Sequence, residues 1–236
     1  MSWTESDSKD FIDFGDYFIP YREQQAEVIR QLLSAVNPLN TVVDLCCGEG
    51  FWCKKILTAY PKTTVYGLDI SEEMLRKASK DLVQYKERFN TQKFDLRKQE
   101  WRYILPPVDA FISSLAIHHL EALEKQQLYS DLYNLLNDGG ALLISDLISP
   151  TVQAGYDLAG KQWEDYVRRG SIENDNPAAY QEFLEDKWNF FYHPQEDPID
   201  QPSGIFEQLE WLNDTGFKKV DVYWMFAGHA IFGGWK

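Results

Sequence analysis

Between residues 41 and 149 the chain alternates short β-rich apolar runs with stretches whose apolar residues recur every three or four positions. The runs are TVVDL (41–45), TTVYGLDI (63–70), TQKFDL (91–96), DAFISSL (109–115) and ALLISDLI (141–148). Successive parallel strands need a crossover, and a helix supplies one, so this rhythm predicts an α/β domain with a mostly parallel sheet. The fifth run is apolar at nearly every position, as expected of a strand buried on both faces. Ser71 precedes a helix whose first turn carries Glu72 and Glu73, an electrostatically favourable place for acids, and whose stripe is Met74, Ala78, Leu82 and Tyr85. Leu128, Leu132, Leu135 and Leu136 mark another helix, which the pattern ends at Asp138-Gly139-Gly140.

The flanks read differently. Residues 1–20 are expected to be irregular, leading into a helix over 21–36 with Ala26, Ile29, Leu33 and Val36 on one face. Residues 151–204 show no strand pattern; they are acidic, aromatic and broken by prolines, and predict two or three helices inserted above the sheet. GIFEQLEWLNDTGF restores a helix ending near Gly216. KKVDVYWMF and HAIFGGWK then read as an antiparallel hairpin around a tight Ala227-Gly228 turn.

Charge narrows the partners. The formal net charge is −14, and lysines and arginines occur only as scattered pairs such as Lys54-Lys55, Arg168-Arg169 and Lys218-Lys219. Proteins that grip phosphate backbones carry a basic face, so nucleic acid is disfavoured. No apolar run approaches the roughly 20 residues that span a bilayer, so no membrane partner is expected. The acidic start lacks the regions of a signal peptide, which leaves a cytoplasmic protein as the expectation. Cys46, Cys47 and Cys53 sit together without a CxxC pair or a nearby histidine, so no metal is expected and the thiols read as small buried residues.

The stretch TVVDLCCGEGFWC (41–53) carries the chemistry. Gly48-x-Gly50, after a strand and before a helix, begins a dinucleotide fingerprint, but Cys53 takes the third glycine position. Asp44 ends the strand at the ligand crevice. A carboxylate there repels a pyrophosphate and suits a positively charged ligand such as the methionine end of S-adenosylmethionine. Asp69, nineteen residues past Gly50, ends the next strand, where an acid takes ribose hydroxyls. Asp95 ends the third run, where it can accept from an adenine amine, with Leu96 and Ile70 as apolar walls. Each acid alone could be a cap or a solvated loop residue; three at successive strand ends beside a glycine turn point to one nucleoside-bearing ligand.

With those residues in place, the chain resembles the class I S-adenosylmethionine-dependent methyltransferases. VVDLCCGEG is similar to the family's D-x-G-C-G-x-G motif, with Cys46 in the first glycine's place. YGLDIS resembles its ribose motif, FDL its adenine motif, DAFISSLAIHHL its fourth-strand motif, and LNDGGALLISD its turn into the fifth strand, over about residues 40–150. The resemblance implies a Rossmann-like fold with a seven-stranded, mostly parallel sheet, a C-terminal antiparallel hairpin and an inserted helical lid. It implies 1–40 as an N-terminal cap segment and first helix, 41–150 as the cofactor-binding core, 151–204 as the acceptor lid, and 205–236 as completion of the core. It implies S-adenosylmethionine as cofactor, with S-adenosylhomocysteine as product. Asp44, Gly48 and Gly50 would contact its methionine part, Asp69, Ile70 and Met74 its ribose and adenine, Asp95 and Leu96 would flank adenine, and Ser113, Ser114 and Leu115 would floor the sulfonium. Tyr17 and Tyr21 belong to an N-terminal segment that relatives fold over the site.

The cofactor carries the reactive group, so the protein must align the acceptor, exclude water and, for some acceptors, take a proton. His118, His119 and His193 are the candidates for that last role, against the plainer reading of packing histidines. Trp163, Tyr166, Trp188, Phe191 and Tyr192 are candidates to line an acceptor pocket, against a small core within the lid. An aromatic, acidic lid suits a small-molecule acceptor and O- or N-methylation. The rivals are a tRNA or protein methyltransferase on the same core, a nicotinamide-dependent oxidoreductase, and a cofactor-binding protein without turnover. Phe51 and Trp52 stand between packing and pocket.

Overall fold

Seven strands form one sheet in the computed structural model, which describes residues 4–103, 105–195 and 199–236. They are β1 (Thr41–Leu45), β2 (Thr64–Asp69), β3 (Phe89–Lys93), β4 (Val108–Ser114), β5 (Leu136–Leu147), β6 (Lys218–Phe226) and β7 (His229–Trp235). The spatial order is β3-β2-β1-β4-β5-β7-β6. The first five pair in parallel, and β7 runs antiparallel to both β5 and β6. Strand order reverses between β1 and β4, and the crevice beyond the carboxyl ends of strands at such a switch point is where α/β sheets bind ligands.

Eight helices accompany the sheet among the described residues: α1 (Glu5–Phe18), α2 (Arg22–Leu33), α3 (Phe51–Ala59), α4 (Glu72–Asp81), α5 (Ala122–Leu135), α6 (Gln153–Glu173), α7 (Pro177–Glu185) and α8 (Ile205–Thr215). Alternate side chains of a strand point to opposite faces, so each strand feeds two cores. Val42, Ile112 and Leu143 pack with Ile29, Leu33, Ile56 and Ala78 from α2, α3 and α4. Val43, Phe111 and Ile144 pack with Leu128, Leu132 and Leu212 from α5 and α8. A third cluster joins Phe18 of α1 to Trp163, Val167, Phe183 and Phe191 of the inserted segment and to Ala227 of the hairpin turn. The insertion is therefore docked on the end of β5, on the β6–β7 turn and on the N-terminal helix.

Three boundaries differ from the sequence reading. Residues 5–18 are helical rather than irregular: Thr4 caps the helix through a reciprocal box with Asp7, and Phe14 and Phe18 pack on the lid cluster. The acidic composition of the segment hides that stripe from a reading by periodicity. The helix expected to end at 138–140 stops at Leu135, and β5 starts at once; Leu136 pairs with Val108 and Ala141 with Ala110, so Asn137–Gly140 bulge out. Gly139 takes the left-handed turn (φ 78°) inside that bulge instead of capping the helix. β3 lies two residues earlier than expected, so Asp95 sits beyond the strand, in the following loop. The Ala227-Gly228 turn is as read, with φ of 50° and 72°.

A Cβ on Gly228 would stand 2.0 Å from Cζ of buried Phe191, in a left-handed backbone. Gly228→Ala should cost on the order of 3 kcal/mol, a melting-temperature fall of roughly 6–12 °C, with part of the loss recovered in a Phe191→Ala background. Calorimetry of the variants checks this; an unchanged transition contradicts the docking of the lid on the hairpin.

Candidate active site

The site begins with the turn after β1. Cys46, Gly48 and Gly50 all have left-handed backbone, with φ of 57°, 53° and 84°. A non-glycine residue in that region carries about 1–2 kcal/mol of strain, which Cys46 bears where the motif has glycine. The two glycines do different work. A Cβ on Gly50 would press on Leu82 and Ala78 of α4 at 3.0 and 3.2 Å, so Gly50 is a packing residue. A Cβ on Gly48 would meet only Met74 Sδ, at 3.8 Å, because Gly48 opens onto a cavity.

Asp69 holds this turn. Its carboxylate accepts from Gly48 N at 2.8 Å and from Ser71 N at 2.9 Å, while burial pushes its pKa upward against those bonds. Asp44 lies behind the turn with no exposed surface. Cys53 Sγ donates to its Oδ2 at 3.2 Å, and Oδ1 has no hydrogen-bond partner among the described residues. Burial, opposed by the Cys53 bond, pushes the Asp44 pKa up to about 7. Asp44 lines neither of the cavities in front of the turn, so the structure places it beneath the glycine turn and not against the ligand end expected of it.

Two small cavities meet in front of the turn. The first, about 110 Å³, is lined by Gly48, Asp69, Ile70, Met74, Ser114 and Leu115, with Phe11 of α1 as its cover. Glu5 fixes α1 over it by accepting from Ser71 Oγ at 2.6 Å and Glu72 N at 3.1 Å. Through Ile70 it adjoins an open groove of about 660 Å³ that includes Phe94, Asp95 and Trp101. The second cavity, about 60 Å³, shares Phe11, Leu115 and His119 with the first and adds Phe18, Trp163, Trp188, His118 and Asp200. Leu115, at the junction, is itself left-handed (φ 48°).

The polar wall of the second cavity is a chain of charges. His118 Nδ1 bonds to Asp146 Oδ1 at the end of β5, and its Nε2 lies 3.2 Å from Asp200 Oδ1. The same Asp200 oxygen is 2.9 Å from His119 Nδ1. Asp146 is anchored by the backbone N–H groups of His118 (3.0 Å) and Leu147 (2.9 Å). Burial disfavours charge on His118, but Asp146 and Asp200 outweigh it and raise its pKa to about 10. His119 is shifted the other way, by burial and by the neighbouring His118 charge. Burial opposes ionisation of Asp200, yet His118 holds its carboxyl well below the usual range. The loop that carries Asp200 is clamped: Gln201 N donates to His118 O at 2.8 Å, and buried Lys125 donates to Gln201 O and to Ser203 Oγ.

The other expected site residues fall elsewhere. Ser113 Oγ donates to Leu45 O beneath the turn, and Leu96 packs on the α5 side of the sheet. Asp95 accepts from Arg97 N in its loop. Tyr17 and Tyr21 line a separate groove with Tyr166, and Tyr21 packs against Tyr166 and Phe226 at 4.9 and 5.0 Å. Phe191 is packing under Gly228, and Tyr192, 42% exposed, donates to Glu164. His193 follows the short turn at Phe190–Tyr192 and lines neither cavity. Trp52 is core, and Phe51 lies under the Arg22 guanidinium at 4.0 Å. The sequence reading missed Phe11, Asp146 and Asp200. Asp146 carried the signal used for Asp44, an acid closing a buried strand; Phe11 and Asp200 carried none, being brought in by tertiary packing.

Comparison with known proteins agrees with this geometry. A family profile described as a methyltransferase domain matches residues 42–140. The chain is 31% identical over 165 residues to an uncharacterized methyltransferase of Bacillus cytotoxicus, covering 69% of this chain and 72% of that one. It is 22% identical over 227 residues to a carboxy-S-adenosyl-L-methionine synthase of Campylobacter jejuni, covering 96% and 90%. A Haemonchus contortus phosphoethanolamine N-methyltransferase solved with S-adenosylhomocysteine superposes with a TM-score of 0.61 at 19% identity, over 93% of this chain and 44% of that one. The chain spans about half the length of such solved structures, which share its fold. No helix among the described residues is long and apolar enough to cross a membrane.

Asp44 supplies a pH test. Its folded pKa is raised from 3.8 to about 7. Its contribution to stability is therefore full below about pH 4 and lost as pH rises through 7. Relative to Asp44→Asn, the wild type should lose on the order of 4 kcal/mol between pH 3 and pH 8. Denaturant unfolding of both proteins across that range measures the gap, and a pH-independent gap contradicts a buried, mostly unpaired Asp44.

Proposed function

The chain belongs to the class I S-adenosylmethionine-dependent methyltransferases, and on that premise we propose that it methylates a small-molecule acceptor enclosed under its helical lid. The observation that carries the proposal is the meeting of two cavities at Phe11, Leu115 and His119, one against the glycine turn and one walled by lid aromatics. A methyl donor in the first and an acceptor in the second would face each other across that junction.

The residues suit the cofactor. Gly48 offers an open backbone face and Asp69 a carboxylate at the end of β2, while buried Asp44 would act from beneath the turn, through the field of its carboxylate. Ile70 and Asp95 border the groove where an adenine would extend. When bound, S-adenosylmethionine supplies an activated methyl group for in-line displacement. Phe11, Phe18, Trp163 and Trp188 would exclude water, and Phe11, which borders both cavities, is the aromatic ring nearest a sulfonium, an attraction worth roughly 0.5–2 kcal/mol. His119 and Asp200 would orient the acceptor's O–H or N–H. His118, already charged and closed in by two carboxylates, is a scaffold and not a proton acceptor.

The acidic chain and closed lid favour a metabolite over tRNA or a protein side chain. The near full-length match to a carboxy-S-adenosyl-L-methionine synthase supports a second reading, in which the cofactor's methyl carries a carboxylate. The described walls of both cavities contain no lysine or arginine, and the cationic His118 is already paired with Asp146 and Asp200, which favours plain methyl transfer.

With label on the methyl group, incubation with a metabolite extract and with bulk tRNA should place label in small molecules. Label in tRNA alone, or accumulation of a carboxylated cofactor, overturns the proposal. His119→Ala should lower kcat/KM on the order of 100-fold and weaken S-adenosylhomocysteine binding far less; the reverse pattern removes His119 from the acceptor side.

A further inference from the structure

We infer that His118, His119 and Asp200 form a binding site for one divalent transition-metal ion of the zinc or ferrous class. His118 Nε2, His119 Nδ1 and an Asp200 carboxylate oxygen lie within 4.8 Å of one another. The Asp200 oxygen is 3.2 and 2.9 Å from the two nitrogens. Ligands about 2.0–2.2 Å from a shared ion, at tetrahedral or octahedral angles, stand roughly 3.0–3.5 Å apart. Those separations fit a coordination shell as well as the N–H···O bonds that join the groups without an ion, and an entering ion would take the place of the proton that His118 Nε2 shares with Asp200, which is released on binding.

A second observation points the same way. The ring nitrogen of His118 that faces away from Asp200 bonds to Asp146, the carboxylate–histidine pairing that fixes ring orientation at metal sites. Asp146 is in turn held by two backbone N–H groups. The opposite ligand is equally restrained, since Lys125 and the Gln201–His118 backbone bond clamp the Asp200 loop. Ligands held in place beforehand, here on two segments of chain with Asp146 from a third behind them, are what a functional metal site requires.

The donor set selects the ion. Two imidazoles and one carboxylate suit zinc, ferrous iron, cobalt or nickel, while magnesium and calcium prefer oxygen shells. Three protein ligands leave coordination positions open, as in catalytic and not structural sites. His119 borders both cavities, so the open positions lie beside their junction. The role of the ion rests on the acceptor reading above: an acceptor oxygen or nitrogen bound to it would be oriented toward the methyl group. The site itself does not depend on that reading. A second group of acids, Asp10, Glu182 and Asp186, lacks nitrogen donors and is more exposed, and serves as the control.

The test uses the full chain stripped with chelator and titrated with Co²⁺, followed by visible absorption, and with Zn²⁺, followed by calorimetry. One equivalent should bind at micromolar concentration or tighter, with cobalt bands of a nitrogen-ligated site. His119→Ala and Asp200→Asn should each weaken binding at least 100-fold, and Asp146→Asn about 10-fold. Glu182→Gln should leave it unchanged. S-adenosylhomocysteine titration of each variant reports that the fold is intact. Absence of stoichiometric binding to a wild type that still binds S-adenosylhomocysteine overturns the metal site alone. Binding that survives both His119→Ala and Asp200→Asn, or is lost in Glu182→Gln, overturns it as well. Failure of wild type to bind S-adenosylhomocysteine would instead strike the methyltransferase reading.

Discussion

A buried imidazole held between two carboxylates is the constraint on which the acceptor end of this protein depends. His118 leaves the turn after β4, Asp146 closes β5, and Asp200 arrives from the loop beyond the lid. Bringing such charges out of water is costly, and removing one partner of a buried set typically costs about 3–5 kcal/mol because the others are left uncompensated. The array therefore specifies one arrangement of three distant segments. Lys125, placed on α5, completes it by gripping the same loop. The array forms the polar wall of the second cavity, opposite Trp163, which is fixed separately by its bond to Phe18 O and by the lid cluster.

The cofactor end is organised by backbone conformation. Cys46, Gly48, Gly50 and Leu115 all sit in left-handed geometry around one crevice, and Asp69 ties the turn to the next strand through main-chain bonds. Strain of this kind persists where the surrounding structure over-determines it, and it clusters where ligands approach. Burying Asp44 without a full set of partners is a further local cost. Helix α1 couples the two ends, since Phe11 borders both cavities and Phe18 belongs to the lid core.

The core of the fold was readable because its signals are local. Short apolar runs alternating with helical stretches, glycines after such a run and paired turn residues need no knowledge of distant segments, which is why the sheet and the hairpin turn could be read directly. The aromatic lid was readable as a composition but not as a surface. Trp163 and Trp188 reach the cavity, while Tyr166, Phe191 and Tyr192 do not, because one helical face and one short turn divide them. The N-terminal helix was hidden by its acids, and its cover residue Phe11 with it. Asp200 lay in an acidic, proline-broken stretch where no single carboxylate stands out, and only its meeting with His118 and His119 distinguishes it.

The junction of the two cavities is most directly tested by nuclear Overhauser effects from a ¹³C-labelled sulfonium methyl group of bound S-adenosylmethionine. Cross-peaks should run to Leu115, to the His119 ring and to Phe11. Cross-peaks confined to the outer groove of Tyr17, Tyr21 and Tyr166 would contradict a methyl group delivered beneath the lid.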